Sequence, residues 1–382
     1  MVTNILEAFA ELPDPRKEHP VKLHKLIDIV VIAVCAVIAK AETWEEIADY
    51  GELKEDFLRQ FLALPHGIPS HDTFNRVFSR LDPAAWQTCF MKWMRSVSQL
   101  SEDKLVSVDG KVLRGSKAKG EGKREEKQAA LSLISAWAGE NEMVLAQLAL
   151  EEHANELSLI PELLGLLDLE GASVSIDAAG CHKEVATQII EQGGDYVLSL
   201  KANQGQLFDE VNWLFEYQLS EAVVMDTSET FDVAHGRQEA RTCWLMNDLS
   251  YLEGAVRNLS DWQKLQAIIV IENQVLRQGK LSTQRRFFLT SHTFSAKQAL
   301  ARVRQHWSIE NQQHYPLDLL FREDASRTRK GFAAQNLAAL RRLALNLLNL
   351  DTQTPISKRR KRFKALLDDR YLLNLLGLSG DT

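Results

Sequence analysis

Leu105-Val-Ser-Val-Asp-Gly-Lys is the stretch that decides the fold, because a short β-forming run ends in a carboxylate, Asp109. Ala172-Ser-Val-Ser-Ile-Asp-Ala repeats the arrangement and ends at Asp177. A third acid, Glu310, stands in His306-Trp-Ser-Ile-Glu-Asn, in a segment with a helical pattern. Carboxylates brought together from distant segments suit paired divalent metals, since hard Mg²⁺ takes oxygen ligands and bridges phosphates. The pattern favours metal-dependent chemistry on phosphodiesters.

The segments around these acids predict alternating strands and helices. Strands are expected at Leu105–Val108, Ala130–Trp137, Met143–Ala149, Ala172–Ile176 and Tyr196–Leu200, and helices at Asn155–Leu167 and His182–Gln192. The gap Ala138-Gly-Glu-Asn-Glu predicts a hairpin between the second and third strands. A three-stranded meander followed by alternating helix and strand is the order of a ribonuclease-H-like α/β core, although other α/β folds share that order.

The sequence predicts two domains. Residues 1–98 predict a small all-helical domain in which Leu26–Ala39 is a buried helix, and its short helices fit a DNA-binding unit and a generic helical bundle equally well. Residues 99–382 form the predicted catalytic domain, interrupted at about 205–295 by a mostly β insertion. Helices are expected again at Ala296–His314 and Phe332–Leu350, where the C-terminal region becomes basic.

Bulk composition excludes several classes of protein. The chain has 382 residues, of which 45% are hydrophobic and 25% charged, as in ordinary globular proteins. Its four cysteines form no Cys-x-x-Cys pair, which argues against a zinc site or a disulfide framework and favours a reducing cytoplasm. The longest apolar run, Ile29–Ala39, is too short to span a bilayer. We therefore expect a cytoplasmic protein, associated with the nucleoid when bound to DNA, and no membrane partner.

The charge is unevenly distributed. The net charge is −7, yet residues 322–364 hold twelve basic and three acidic residues. Long-range attraction follows the local field rather than the total charge, so this region could hold DNA. Candidate phosphate contacts are Lys358, Arg359, Arg360, Lys361 and Arg362, with Arg341 and Arg342 as further candidates that could instead lie on a core helix. A solvated basic tail is the alternative.

Each acid also has a structural interpretation. Asp109-Gly110 is typical of a two-residue hairpin turn, and Asp177 could cap a helix. Arg302, His306, Glu310 and His314 recur every four residues, which fits a solvated helix face. His306 and His314 are two helical turns apart, about 12 Å, so they cannot share a zinc ion.

Other polar residues are weaker candidates for contacts with DNA. They are Lys201, Asn203, His235, Arg237, Arg241 and His306, and each could equally be an exposed surface residue. The chain has no phosphate-binding Gly-x-x-x-x-Gly-Lys loop and no dinucleotide fingerprint, so no nucleotide cofactor is expected.

The joint order of several motifs resembles the H-repeat-associated (ISAs-type) transposases, a branch of the bacterial DDE insertion-sequence enzymes. The similar blocks are Asp14-Pro-Arg, Val108-Asp-Gly-Lys-Val-Leu-Arg-Gly-Ser, Asn155-Glu-Leu-Ser-Leu-Ile-Pro, Ser175-Ile-Asp-Ala-Ala-Gly-Cys, Tyr196-Val-Leu-Ser-Leu-Lys-Ala-Asn-Gln, His235-Gly-Arg-Gln-Glu-Ala-Arg, His306-Trp-Ser-Ile-Glu-Asn and Leu317-Asp-Leu-Leu-Phe-Arg-Glu-Asp-Ala-Ser-Arg. The sequence departs from the family pattern at Tyr315-Pro316, which puts the end of the glutamate helix in doubt.

The resemblance implies a transposase with a ribonuclease-H-like DDE core. Asp109, Asp177 and Glu310 would be its catalytic metal ligands for two Mg²⁺ ions, with Mn²⁺ able to substitute. Its expected partners are double-stranded DNA, as element ends and target, and a second copy of the chain on that DNA. The alternatives are a catalytically silent DNA-binding remnant and a plain nuclease of the same fold.

Overall fold

The computed structural model describes residues 4–17, 22–97, 104–117, 129–150, 156–234 and 236–378. Its α-helices are α1 (Ile5–Phe9), α2 (Leu26–Ile38), α3 (Trp44–Leu53), α4 (Glu55–Leu58), α5 (His71–Phe78), α6 (Pro83–Val97), α7 (Glu156–Gly165), α8 (Lys183–Glu191), α9 (Gly205–Ser220), α10 (Ser250–Ala255), α11 (Ala296–His306), α12 (Tyr315–Leu320), α13 (Ala333–Leu350), α14 (Lys358–Leu367) and α15 (Asp369–Leu376). Its strands are β1 (Leu105–Leu113), β2 (Leu131–Ala138), β3 (Met143–Ala149), β4 (Ser173–Ile176), β5 (Asp195–Leu200), β6 (Asp226–Ala234), β7 (Arg237–Met246), β8 (Ala267–Arg277) and β9 (Lys280–Thr290). The fold is therefore mixed α/β with a large sheet.

The chain divides into two compact units, and strand β1 passes from one into the other. The first unit comprises Met1–Leu100, Gly110–Ala154 and Glu310–Thr382; the second comprises Ser101–Asp109 and Asn155–Ile309. The two units are discontinuous in sequence, whereas the sequence predicts one boundary near residue 98. Residue 98 lies outside the described residues, so that boundary stays a prediction.

The first unit is mostly helical, with strand order β3-β2-β1. The described residues before 98 form helices only, as predicted. Helix α2 is buried along nearly its whole length because its sequence is apolar on every side, and it packs on α13. No helix in the described ranges is long and apolar enough to cross a membrane. β2 and β3 pair as the predicted hairpin, from Ala138↔Met143 to Leu133↔Ala149.

The second unit carries the sheet order β1-β4-β5-β9-β8-β7-β6. β1, β4 and β5 are parallel neighbours, with registers Val108↔Ile176 and Ile176↔Leu198. Their runs of Val, Ile and Leu are buried, as expected for strands covered on both faces. The parallel pairing of β1 with β4 ends at Val108 and Ile176, so it brings Asp109 and Asp177 together at one edge. β1 itself continues to Leu113, so the predicted strand end before Asp109 and the hairpin turn at Asp109-Gly110 are both wrong.

The segment predicted to be a mostly β insertion contains four antiparallel strands. β6, β7, β8 and β9 pair in sequence, and β9 joins β5 through Val197↔Thr290. Helix α11 buries Leu300 and Val303 against this sheet, in a cluster that includes Cys243 and Ile269.

One predicted helix is corrected. The pattern at Ala296–His314 predicts one continuous α-helix, but α11 ends at His306 and a π-helix follows at Ile309–His314. Pro316 lies in the first turn of α12, where a missing backbone N–H costs nothing. The chain therefore remains helical beyond the proline, and the change of helix type falls on Glu310.

Candidate active site

Asp109 and Asp177 lie at equivalent positions on two neighbouring parallel strands. Val108 pairs with Ile176, and each is followed directly by an aspartate. Parallel neighbours are about 4.8 Å apart, so the two carboxylates leave the same sheet edge side by side. Both are half-buried, whereas the strand residues before them are buried. This is the edge at which open α/β sheets bind their ligands.

Glu310 and His314 lie together on the π-helix. The Nδ1 atom of His314 is 3.4 Å from the Glu310 Oε2 atom. The imidazole is buried while the carboxylate is exposed. Short π segments are rare and are often found at functional sites.

Glu310 and His314 are a candidate pair of metal ligands within the first unit. A carboxylate and an imidazole are donors that suit a divalent cation. His314 was not predicted in this role, because the sequence argument considered it only together with His306. The Glu-x-x-x-His spacing was the signal that could have identified it.

Asp177 has a local structural role. Its Oδ1 atom accepts a hydrogen bond from the Ala179 backbone N–H at 3.0 Å, which caps the short 3₁₀ helix Ala178–Gly180. The capping interpretation from the sequence is confirmed. A capping carboxylate keeps a second oxygen that can serve another purpose.

A charged pair follows the first aspartate. Lys111, two residues after Asp109, donates from Nζ to Asp318 Oδ2 at 2.5 Å. The lysine side chain is only 9% exposed, whereas the Asp318 side chain is 37% exposed, so the pair is partly open to solvent. It ties the end of β1 to α12 within the first unit.

The basic residues predicted in the insertion are neutralised by acids. Arg241 bonds Asp232 at 2.6 Å and lies 2.7 Å from Glu239, which also accepts from Arg237. Burial raises the pKa of Glu239, but the hydrogen bonds from Arg237 and Asn273 and the arginine charges outweigh it and lower the pKa overall. His235 lies outside the described residues. The phosphate contacts predicted for Arg237 and Arg241 stay untested, and in this structure both guanidinium groups already have acidic partners.

Lys201 and Asn203 differ in their availability. Lys201 is exposed after β5. The Asn203 amide donates to the Ala178 carbonyl at 2.8 Å, in the loop that follows Asp177. Asn203 therefore secures the backbone beside the second aspartate, while Lys201 can reach solvent.

Part of the basic C-terminal region is buried, which corrects the phosphate contacts predicted for Lys361 and Arg362. Arg341 and Arg342 are buried on α13, where Arg342 pairs with Glu323 at 2.6 Å, so the core-helix alternative for these two arginines is confirmed. Arg362 is buried as well and donates from Nη2 to the Val37 carbonyl at 2.8 Å. Its burial lowers the pKa of the guanidinium to about 10.

The remaining members of the run divide by their partners. Lys361 is buried and donates to the Leu348 carbonyl at 3.0 Å. Lys358 bonds Glu142 at 2.6 Å. Arg359 and Arg360 are exposed on the outer face of α14. The helical period explains the division, because α14 buries one side against the rest of its unit.

His306 is directed at the sheet. Its Nδ1 atom lies 2.8 Å from the Ser175 Oγ, two residues before Asp177. The contact with DNA predicted for His306 stays untested. Sequence reasoning did not identify the serine partner, although the repeated Ser-x-Asp of β1 and β4 was visible.

Two family models cover most of the chain. The model described as "Transposase DDE domain" matches residues 100–347, and the model described as "DDE_Tnp_1-associated" matches residues 6–94. The catalytic model therefore includes Asp109, Asp177 and Glu310.

Several curated proteins are similar in sequence. The H repeat-associated protein YhhI of Escherichia coli strain K12 is 33% identical over 383 residues, covering 98% of both chains. A protein encoded in the dhlA 3′ region of Xanthobacter autotrophicus is 41% identical over 295 residues, 77% of this chain and 96% of that one. "Inactive transposase YbfQ" of Escherichia coli strain K12 is 46% identical over 76 residues, which is 20% of this chain and 89% of that protein.

A solved structure gives a weaker likeness. The synaptic complex of piggyBac transposase with hairpin DNA aligns with a TM-score of 0.42 and 9% identity, over 96% of this chain and 76% of that chain. A likeness at this level supports no conclusion about the present chain.

Proposed function

Because the chain belongs to the DDE transposase family, we propose that it cleaves DNA at the ends of an insertion element and joins the freed 3′-OH to target DNA. One observation carries the proposal: Asp109 and Asp177 directly follow paired positions at the carboxyl edge of two parallel strands. Two acids at one sheet edge, followed in sequence by the glutamate within the same family model, are the DDE arrangement.

The strand order supports a ribonuclease-H-like core for this proposal. A hairpin, a central strand and two further parallel strands occur in the order β3-β2-β1-β4-β5. The remaining antiparallel strands follow β5 in space as an insertion. The acids then lie at the sheet edge where such a core would hold them.

The donor set fits a divalent cation. Asp109 and Asp177 present two carboxylates at the sheet edge, and Glu310 and His314 present a carboxylate and an imidazole on the π-helix. Such a cation, when bound, would supply Lewis-acid stabilisation of charge on a phosphodiester and a more acidic water. The imidazole favours Mn²⁺ beside Mg²⁺, since nitrogen ligands suit the softer ion better.

The protein's own residues would hold the site and the DNA. Asp109, Asp177 and Glu310 would hold the metal, and the hydrogen bond that caps Ala178–Gly180 fixes the Asp177 carboxylate relative to its strand. Lys201, Arg359 and Arg360 are exposed and can contact phosphates. Two copies would act on one pair of element ends, because joining needs both ends together.

The test is a cleavage and strand-transfer assay on DNA that carries the native element ends. Wild-type protein and Asp177→Asn are compared in Mg²⁺, Mn²⁺ and EDTA. We expect metal-dependent release and joining of 3′ ends, lost in the variant, with DNA binding retained. Cleavage without joining, and without preference for element ends, would contradict the proposal and show that the protein is a nuclease.

A second candidate function is a silent DNA-binding protein, and one relative favours it. YbfQ bears the name of an inactive transposase and is 46% identical to part of this chain. The silent protein would bind element ends specifically, but it would not cleave them in the presence of any metal ion. The same assay separates the two functions, because Asp177→Asn would then change nothing.

A further inference from the structure

Each of the two aspartates is preceded by a buried serine, two residues earlier in the chain. β1 contains Ser107-Val-Asp109 and β4 contains Ser175-Ile-Asp177, and Ser107 pairs with Ser175 in the parallel ladder. Side chains two residues apart share a face, so the serines lie on the face that carries the aspartates. Each serine is one strand repeat, about 6.6 Å, before its aspartate.

These serines are bonded in one chain to His306. The Ser175 hydroxyl donates to Ser107 Oγ at 3.2 Å, and Ser175 Oγ is 2.8 Å from His306 Nδ1. Because Ser175 gives its only proton to Ser107, it accepts from His306, whose Nδ1 therefore carries a proton. The two hydroxyls are 0% and 2% exposed, and buried hydroxyls are costly unless they are bonded.

His306 stands where the chain turns toward the third acid. It is the last residue of α11, and the π-helix begins three residues later at Ile309. Glu310 is therefore four residues along the chain from His306. The hydrogen bond to Ser175 anchors this end of α11 to the strands.

We propose that His306 is a positioning residue: its Nδ1–H···Ser175 bond anchors the end of α11, and with it the residues that lead to Glu310, to the aspartate-bearing strands. This inference rests on the proposed function, and it deepens it by naming a residue that fixes the segment directly before the glutamate. It assigns to the imidazole a different task from a contact with phosphate, because the bonding atom is Nδ1 and its partner is in the sheet.

Two substitutions distinguish the ring nitrogens. In His306→Asn the amide nitrogen occupies the place of Nδ1 and can still donate to Ser175. In His306→Gln the amide nitrogen occupies the place of Nε2, so the hydrogen bond to Ser175 is lost while a donor at the Nε2 position remains. Ser175→Ala removes the partner and leaves the histidine intact.

The fold supplies a matched control on the same strand. Ser173, two residues before Ser175 on β4, bonds His292 Nε2 at 2.7 Å, at the end of the strand far from Asp177. Ser173→Ala therefore removes an equivalent serine–histidine bond that the proposal does not connect with Glu310.

The first readout is amide hydrogen exchange of a peptide covering residues 307–314, without DNA. We expect faster exchange in Ser175→Ala and His306→Gln, and wild-type exchange in His306→Asn and Ser173→Ala. This result does not depend on catalysis, so it stands or falls separately from the proposed function. Equal exchange in His306→Asn and His306→Gln would overturn the assignment.

The second readout is single-turnover cleavage of element-end DNA. Partners that orient metal ligands typically contribute about 10- to 100-fold to activity. We expect the single-turnover rate constant to fall about 10- to 100-fold for Ser175→Ala and His306→Gln, with the Kd for DNA unchanged. His306→Asn should keep most of the wild-type rate. If His306→Gln were active and His306→Asn weakened DNA binding, the histidine would act on phosphate through Nε2 and the inference would be wrong.

Discussion

The ion pair between Arg342 and Glu323 is predicted to be the most sensitive electrostatic contact in the first unit. Arg342 and Glu323 are 1% and 0% exposed, and their side chains meet at 2.6 Å. The same guanidinium donates to the Ala338 carbonyl at 3.1 Å. In Glu323→Gln the shape is kept, but a buried guanidinium loses its counter-charge.

The magnitude follows from the burial. Removing one member of a buried pair costs about 3–5 kcal/mol, because the other charge is left without compensation in a poorly solvated site. For a urea dependence of about 3 kcal/mol per molar, the unfolding midpoint would fall by about 1–2 M. A solvated pair behaves differently: Arg59 and Glu55 are 45% and 36% exposed, so Glu55→Gln should cost under about 0.5 kcal/mol.

Urea unfolding followed by tryptophan fluorescence checks this prediction. Glu323→Gln should show the lowered midpoint, and Glu55→Gln should match the wild type. The double variant Glu323→Leu/Arg342→Met should recover most of the loss, since two apolar side chains can replace a buried pair. A loss below about 1 kcal/mol for Glu323→Gln would refute the reasoning.

Three other predictions concern the metal, the DNA and the thiols. His314→Gln should raise the Mn²⁺ concentration needed for cleavage more than the Mg²⁺ concentration, because the imidazole prefers the softer ion; equal changes would speak against His314 as a ligand. Arg359→Gln with Arg360→Gln should lower the salt slope of DNA binding by about 2, and an unchanged slope would mean that α14 does not touch phosphate. Burial raises the pKa of Cys181 and Cys243 to about 12, so both stay neutral in the folded state while the unfolded chain ionises above about 8.5. Their contribution to stability is complete below that pH and is lost as pH rises toward 12, which urea midpoints at pH 8 and 10.5 would show against the Cys→Ala variants.

Much of the fold could be predicted because its signals are local. The runs that lead to Asp109 and Asp177 are apolar and β-branched, and both form predicted strands, which pair in parallel. The hairpin after β2 followed from turn-forming residues between two apolar runs. The order of the motifs was enough to identify the family, which two family models confirm.

The errors arise where tertiary contacts override local pattern. A four-residue period predicted one α-helix through Glu310, yet the chain forms a π-helix there, and the sequence gives no local signal for that change. Arg362 was predicted to contact phosphate, but it is buried and donates to a backbone carbonyl. For Arg342 the sequence left a phosphate contact and a core helix open, and the guanidinium is buried against Glu323. Such partners lie far away in sequence, so charge alone cannot separate a core arginine from a DNA contact.

The most direct test of the central claim is a change of metal specificity at Asp109. In Asp109→Cys a soft thiolate replaces a hard carboxylate, so cleavage of element-end DNA should be lost in Mg²⁺ and partly restored in Mn²⁺. Asp109→Asn, which offers no charge, should stay inactive in both ions. Cleavage by Asp109→Cys in Mg²⁺ at the wild-type rate would show that Asp109 does not hold the metal, and would contradict the account.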